Sequence, residues 1–273
     1  MQNVLIDIKI NLSHDEFSED IVFLEIRRKC DRPEFFDSLK KIVEELEGPI
    51  LQEVSHCIGL LAYTSDEIII KSLLKSGMPE LVIKIMKKMP DNGPINSYSC
   101  FALANILSNR PNHIDIIINE EKEFLTNQFN HHRRDKDCIT DITFLLSILF
   151  DSKNFHPYQI IGVDMIEAIV EGIKEFNDPN FLEDSFNVLG TITDYKEINP
   201  EQNVNECINY LSEKNFYTDC IKILEEESLP LSIEVNVFNC VANALSFDSK
   251  KVENVGFNFM IRISPKKKDL NNI

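Results

Sequence analysis

SYSCFALANILSN, residues 97–109, has small and apolar side chains at the spacing of a helix, and an amide, Asn105, lies among them just before Ile106. This pattern predicts a buried helix that carries a polar group. Related stretches recur along the chain, and their recurrence indicates the fold class.

The recurrence is clearest in the tripeptide Gly-Pro-Ile, which occurs at residues 48–50 and again at 93–95, 45 positions apart. Nine residues after each proline comes a matching apolar residue. Looser copies follow, and the matching positions are Ile58, Leu103, Leu145, Leu189 and Val241, separated by 45, 42, 44 and 52 residues. A period in the forties with helical patterning is typical of stacked helical units, each unable to bury its apolar face alone.

Residues 64–108 show the predicted helices of one unit. Thr64-x-x-Glu67 has the form of a capping box and predicts the start of a short helix, which Gly77 ends. Pro79 and Pro94 suit the first turns of two longer helices that follow. Each unit is therefore predicted to contain one short helix and two long ones.

The unit resembles an armadillo repeat. SGMPELVIKIM is similar to the Gly-x-Ile-Pro-x-Leu-Val segment of that family, and FALANILSN is similar to its third-helix segment Ala-Leu-x-Asn-Leu. The resemblance implies an all-α fold, a right-handed α-solenoid superhelix whose third helices line a concave groove. HEAT repeats, with two helices each, are the alternative, and Gly77 between a short and a long helix favours armadillo repeats.

About five armadillo-like repeats are predicted between two terminal segments. The repeats span approximately 33–76, 77–119, 120–162, 163–211 and 212–262. Residues 1–32 are expected to form an N-terminal capping helix region, and residues 263–273 a charged, disordered tail. The apolar segment VGFNFMIRI, residues 255–263, is expected to cap the last repeat or to mediate self-association.

If the third helices stack side by side, equivalent positions form one stripe across the groove, because residues i and i+4 share a helix face. We call it the polar stripe, and Leu60 lies in it at the position that matches Asn105. Its predicted partner-binding residues are His56, Phe101, Asn105, Thr143, Ser147, Asn187, Thr191, Asn239 and Asn243. An Asn side chain suits pairing with the backbone of an extended peptide. Asn105 and Asn243 equally suit hydrogen bonds to the neighbouring repeat, and the sequence leaves both interpretations open.

Motifs of catalysis are absent from the sequence: it has no phosphate loop, nucleophile elbow or paired metal-ligand spacing. His131 and His132 would point about 100° apart on a helix, so HHRRDK, residues 131–136, is predicted to be a solvated loop and not a metal site. We therefore expect no enzyme, cofactor or metal. The predicted function is that of a non-catalytic protein–protein interaction scaffold, which binds a peptide or protein partner in the groove.

The net charge of −17 favours protein partners with a basic segment over nucleic acid. The alternative function is regulation of small GTPases, since the chain also resembles the armadillo-type guanine nucleotide dissociation stimulators, in which an acidic surface receives a basic tail of the GTPase. A nuclear-import adaptor is disfavoured. Those receptors carry Trp one turn before the groove Asn, and this chain contains no Trp.

Seven scattered cysteines, none in a CxxC motif, are predicted to be thiols that pack as small hydrophobic side chains. Such usage indicates a reducing compartment. No signal peptide and no run of about 20 apolar residues is apparent. The prediction is a cytoplasmic protein without membrane contact, with the nucleus as a second compartment.

Overall fold

In the computed structural model, the described residues are 28, 30, 32–64, 66–108, 110–150, 162–176, 178–194, 202–224 and 229–247. Every regular element in these residues is an α-helix, which confirms the predicted all-α class. The chain divides into two compact units between Phe155 and His156.

The first unit contains seven described helices, and α5 lies at its centre. They are α1 (Pro33–Glu45), α2 (Pro49–Tyr63), α3 (Glu67–Lys75), α4 (Met78–Lys88), α5 (Gly93–Leu107), α6 (Pro111–His132) and α7 (Lys136–Phe150). Helix α5 packs along both α2 and α7. These three helices carry the first positions of the polar stripe, and we call them, with their counterparts in the second unit, the stripe helices.

Proline and glycine set the helix starts of the first unit as the sequence predicts. Pro49, Pro79 and Pro94 each lie in the first two positions of a helix, where the missing N–H costs no hydrogen bond. Gly77 adopts left-handed backbone angles, φ 67° and ψ 37°, between α3 and α4. A residue with a Cβ is strained in that conformation, so glycine permits the sharp change of direction there.

The predicted capping box at the start of α3 is wrong. The cap is Asp66, whose carboxylate accepts hydrogen bonds from the backbone N–H groups of Ile68 at 2.8 Å and Ile69 at 3.0 Å. The hydroxyl of Thr64 instead donates to the carbonyl of Leu61 at 2.7 Å, at the end of α2. Asp66 stands immediately before the first turn, and its carboxylate accepts from two of the N–H groups that have no partner within the helix.

Polar contacts between the stripe helices of the first unit repeat at the period of the sequence. The hydroxyls of Ser55 on α2 and Ser99 on α5 are 3.0 Å apart and separated by 44 residues. The Sγ of Cys138 on α7 donates to the carbonyl of Gly93 on α5 at 3.1 Å, across 45 residues. Contacting residues of successive stripe helices in this unit are therefore separated by about the length of one repeat.

The second unit contains five described helices around an aromatic core. They are α8 (Val163–Glu175), α9 (Pro179–Asp194), α10 (Gln202–Glu213), α11 (Phe216–Leu224) and α12 (Leu231–Phe247). Its stripe helices, α9 and α12, pack along each other. Phe181, Phe186 and Phe216 are completely buried, and the last two stack with ring centroids 6.0 Å apart.

The HHRRDK stretch forms the predicted solvated turn only over residues 133–135, and its two histidines are not part of that turn. His131 and His132 end helix α6, and His132 is only 7% exposed. Its Nε2 atom lies 2.8 Å from the carbonyl oxygen of Pro90 and 2.9 Å from Nδ2 of Asn96. The packing of α6 against α5 creates this buried polar contact, which a reading of the local charges does not foresee.

All seven cysteines lie in described parts of the chain, and all are buried thiols without a disulfide bond, in agreement with the sequence. None of the described helices combines the length and the apolar character needed to cross a bilayer. Most of the predicted N-terminal capping region, the segment 255–263 and the charged tail lie outside the described residues.

Candidate partner-binding cleft

A cleft of about 370 Å³ opens between the two stripe helices of the second unit. Its lining residues are Phe186, Asn187, Gly190, Thr191, Asn236, Asn239 and Asn243. Four of the seven belong to the predicted partner-binding set: Asn187, Thr191, Asn239 and Asn243. We call this the amide cleft.

Helix α9 forms one wall of the amide cleft. Asn187 and Thr191 are four residues apart and therefore lie on the same face of the helix. The hydroxyl of Thr191 donates to the carbonyl of Asn187 at 2.9 Å, so its proton is engaged within the helix. Phe186 is completely buried beneath this wall and helps to fix α9 in the core. The side-chain amide of Asn187 is half-buried at the surface of the cleft.

Helix α12 forms the opposite wall and carries three amides at helical spacing, Asn236, Asn239 and Asn243. Asn243 reaches across to α9, where its Nδ2 donates to the carbonyl of Gly190 at 3.3 Å. For Asn243 the structure thus shows the inter-helix hydrogen bond that the sequence offered as one of two interpretations. Asn239 is exposed and Asn236 is half-buried.

Three amides of the cleft are open to a partner. Within the described parts of the chain, the side chains of Asn187, Asn236 and Asn239 have no hydrogen-bond partner. Each therefore offers two N–H donors and one carbonyl acceptor toward the cleft. Every lining residue is uncharged, so the site can exchange hydrogen bonds with a neutral group without an opposing charge.

Gly190 leaves the centre of the cleft open. A Cβ atom built on this residue would meet no other atom within 4 Å. Gly190 itself is buried, and its carbonyl already accepts hydrogen bonds from Asn243 and, at 2.9 Å, from the hydroxyl of Thr193. What the glycine leaves open is the space that a side chain would fill.

The predicted residues of the first unit sit in different surroundings. The ring of His56 stacks on Tyr98, with centroids 4.2 Å apart. Phe101 is half-buried, with its ring 6.2 Å from that of Tyr63. Asn105 donates its Nδ2 to the carbonyl of Phe101 at 2.8 Å, within its own helix. Asn105 thus uses one N–H of its amide within its own helix and, among the described residues, makes no hydrogen bond to a neighbouring repeat. Its contact with a partner stays a prediction.

Thr143 and Ser147 do not present polar groups to a partner in this structure, which corrects their assignment as binding residues. Their exposed fractions are 0% and 3%. Their hydroxyls donate to backbone carbonyls of α7, Thr143 to Ile139 at 2.7 Å and Ser147 to Phe144 at 2.8 Å. A hydroxyl that bonds one turn back in its own helix can be buried without another partner.

The sequence prediction missed Asn236, which lies three residues before Asn239 and seven before Asn243. The signal was present, because residues at these spacings share one face of a helix. The prediction assigned only two positions of each helix to the polar stripe, and on α12 it left out the turn before Asn239. The three amides together make α12 the more polar wall of the cleft.

Among the described residues, no group of three or more His, Cys, Asp or Glu side chains is arranged to hold a metal ion. Apart from Phe186 and Gly190, the lining of the amide cleft consists of neutral amides and one hydroxyl, so its chemistry is hydrogen bonding by neutral groups.

No protein-family model matches the chain. No curated protein matches it either. Two crystal structures of engineered proteins from the Northeast Structural Genomics Consortium are similar in fold. The first has a TM-score of 0.56 and 15% sequence identity, over 90% of this chain and 98% of the other. The second has a TM-score of 0.56 and 17% identity, over 90% of this chain and 100% of the other. At such identities the likeness concerns the fold alone.

Proposed function

We propose that the chain is an armadillo-like α-solenoid, a right-handed superhelix of about five repeats that acts as a non-catalytic protein-binding scaffold. The side-by-side packing of α2, α5 and α7, and of α9 and α12, supports this architecture. So does the spacing of the polar contacts between stripe helices, 44 and 45 residues in the first unit. Gly77, with its left-handed backbone conformation, separates the short helix α3 from the longer helix α4, which fits a three-helix repeat.

The ligand of this scaffold is an extended segment of a partner protein, held in the amide cleft. The observation that carries this proposal is the set of open amides of Asn187, Asn236 and Asn239, which face one cleft from two helices. An extended peptide has unpaired backbone N–H and C=O groups along its length, and amide side chains can pair with both. The space beside Gly190, where a Cβ would meet nothing within 4 Å, leaves room for a peptide backbone in the cleft.

The lining residues carry no charge, which favours a bound segment that is neutral where it lies in the cleft. A neutral cleft gains little from Coulomb attraction, so binding in it depends only weakly on ionic strength. The strong acidic charge of the chain contributes to solubility and to the approach of a partner, and not to the contacts within the cleft.

Selection of a binding peptide from a displayed random library, with the full chain as bait, tests the proposal. The affinity of a selected peptide is then measured for variants with Asn187→Ala, Asn239→Ala or both. Each hydrogen bond contributes about 1 kcal/mol, so we expect a loss of about five-fold for one substitution and more than ten-fold for two.

A matched control is Asn209→Ala, which removes an exposed amide from α10 of the same unit, outside the cleft. We expect it to leave the affinity unchanged. A peptide whose affinity is indifferent to Asn187→Ala and Asn239→Ala, or falls equally with Asn209→Ala, excludes the amide cleft as the binding site. A steep dependence of the affinity on salt argues against a neutral cleft as well.

A further inference from the structure

One face of helix α12 is apolar and exposed. Leu231 is 62% exposed, Val235 is 48% exposed and Phe238 is 37% exposed. These residues are spaced four and three apart, so they form one stripe along two turns of the helix. We call this the α12 apolar face. Single exposed apolar side chains are common on protein surfaces, whereas a contiguous row of them marks an interaction surface.

The repeat shows what this face corresponds to in the first unit. Leu103 on α5 and Val241 on α12 occupy matching positions of the repeat, which are 138 residues apart. The same offset matches Leu231 with Gly93 and Val235 with Ser97.

On α5, these two positions face the next stripe helix. The carbonyl of Gly93 accepts a hydrogen bond from Sγ of Cys138 at 3.1 Å, and the hydroxyl of Ser97 donates to the carboxylate of Asp141. Both partners lie on α7. The α12 apolar face is therefore the face with which a stripe helix receives its successor.

A suitable successor lies shortly after α12 in the sequence. VGFNFMIRI, residues 255–263, contains six large apolar side chains and one charge. Residues 248–254 connect it to the end of α12. Seven residues in extended conformation reach about 24 Å, whereas Phe247 and Val235 are about 18 Å apart along the helix axis. The segment can therefore return to the α12 apolar face.

We propose that residues 255–263 dock on the α12 apolar face and cover it as the next repeat would. The short connection raises the local concentration of the segment to the millimolar range, which favours this occupant over a second copy of the chain at micromolar concentration. The pairing buries the aromatic and aliphatic side chains of 255–263 against Leu231 and Val235, and this burial stabilises the second unit.

A single tryptophan tests the docking, because the chain contains no Trp of its own. Phe259→Trp in the full chain places an indole in the segment. We expect its fluorescence emission at short wavelength and shielded from iodide, since the docked indole is buried. Adding Val235→Glu places a carboxylate in the α12 apolar face, and we expect the emission to move to that of a solvated indole.

Two controls make the result specific. Leu46→Glu changes a side chain in the first unit that is 45% exposed, and we expect it to leave the emission of the Phe259→Trp chain unchanged. Val235→Ala keeps the face uncharged and should give an intermediate shift. Circular dichroism melting checks that each variant remains folded.

The proposal is overturned if the indole of the Phe259→Trp chain is solvated, or if Val235→Glu leaves its emission unchanged in a folded protein. The emission is also measured over a roughly hundredfold range of protein concentration. Short-wavelength emission that appears only at the higher concentrations overturns the proposal, because it assigns the α12 apolar face to a second copy of the chain. Emission that is independent of concentration and sensitive to Val235→Glu supports docking within one chain.

Discussion

The Nδ2 atom of Asn243 lies 3.3 Å from the carbonyl oxygen of Gly190, and this contact joins the two stripe helices of the second unit. Asn105 occupies the matching position in the first unit, but its Nδ2 donates to Phe101 within the same helix. The same position of the repeat therefore makes different hydrogen bonds in the two units. Its Asn side chain bonds to the neighbouring helix in the second unit and to its own helix in the first.

Replacing Asn243 by alanine should destabilise the second unit. The hydrogen bond to Gly190 contributes about 1 kcal/mol, and we expect the free energy of unfolding to fall by about that amount. Urea unfolding followed by circular dichroism measures it. Asn239→Ala, which removes an exposed amide of the same helix, should change the free energy of unfolding by less than about 0.5 kcal/mol. Equal losses in the two variants contradict the role assigned to Asn243.

The buried pair Ser55 and Ser99 should show energetic coupling. Replacing either residue by alanine leaves the other hydroxyl, which is completely buried, without its partner across the helices. We expect each single substitution to lower the free energy of unfolding by about 1–3 kcal/mol. The double variant should lose less than the sum, with a coupling of about 0.5 kcal/mol or more. A double-mutant cycle by urea unfolding measures the coupling, and strict additivity contradicts the pairing.

The helix starts and the turn at Gly77 could be predicted from the sequence, because proline and glycine each impose a specific backbone conformation. Pro49, Pro79 and Pro94 mark helix starts because proline lacks an N–H, and Gly77 marks the sharp turn because it tolerates left-handed angles. The repeated spacing of Leu103 and its counterparts follows from the packing of stripe helices along one another, α2 and α7 on α5 and α9 on α12. The rules for proline and glycine do not depend on what the helix packs against.

The polar residues of the site were harder to predict, because a polar side chain has several ways to be satisfied. Thr143 and Ser147 bond to their own helix and are buried, whereas Asn187 remains open at the surface. His132 is buried by contacts with Asn96 and Pro90 that exist only once α6 packs on α5. The sequence predicts which helix carries a polar residue. Its burial and its hydrogen-bond partner depend on how the neighbouring helix packs.

Two glycines of the stripe helices should respond to alanine in opposite directions. A Cβ on Gly59 would lie 2.6 Å from the ring of Phe101 and 3.3 Å from Cα of Ala102, whereas a Cβ on Gly190 meets nothing within 4 Å. Gly59→Ala should therefore destabilise the first unit, because a steric cost of about 1–3 kcal/mol exceeds the gain in helix propensity. Gly190→Ala should stabilise the second unit by about 0.5–1 kcal/mol.

Thermal and urea unfolding of the two variants measure this contrast. Gly190→Ala should also weaken a peptide held in the amide cleft, since its methyl group projects into the space left open for the ligand backbone. A loss of stability in Gly190→Ala, or a gain in Gly59→Ala, contradicts the packing described for these two residues.

Asp141 should make the stability of the first unit depend on pH. Burial raises the pKa of its carboxyl from 3.8 to about 6, although the hydrogen bond from Ser97 lowers it and the charge of Asp137 raises it further. The folded state therefore binds more protons than the unfolded state between about pH 4 and pH 6, and the free energy of unfolding falls as the pH rises through this window. The contribution is complete below the unfolded pKa and lost above the folded one.

Asp141→Asn removes this titration while keeping the size of the side chain. We expect the stability of the variant, relative to the original chain, to rise between about pH 4.5 and pH 7.5, measured by urea unfolding at both values. Asn112→Ala, which removes an exposed side chain without a titratable group from α6, serves as the control and should show no such change. If the relative stability of Asp141→Asn falls over the same interval, Asp141 is ionised more readily in the folded chain than in the unfolded one. Its burial against α5 would then not govern its protonation.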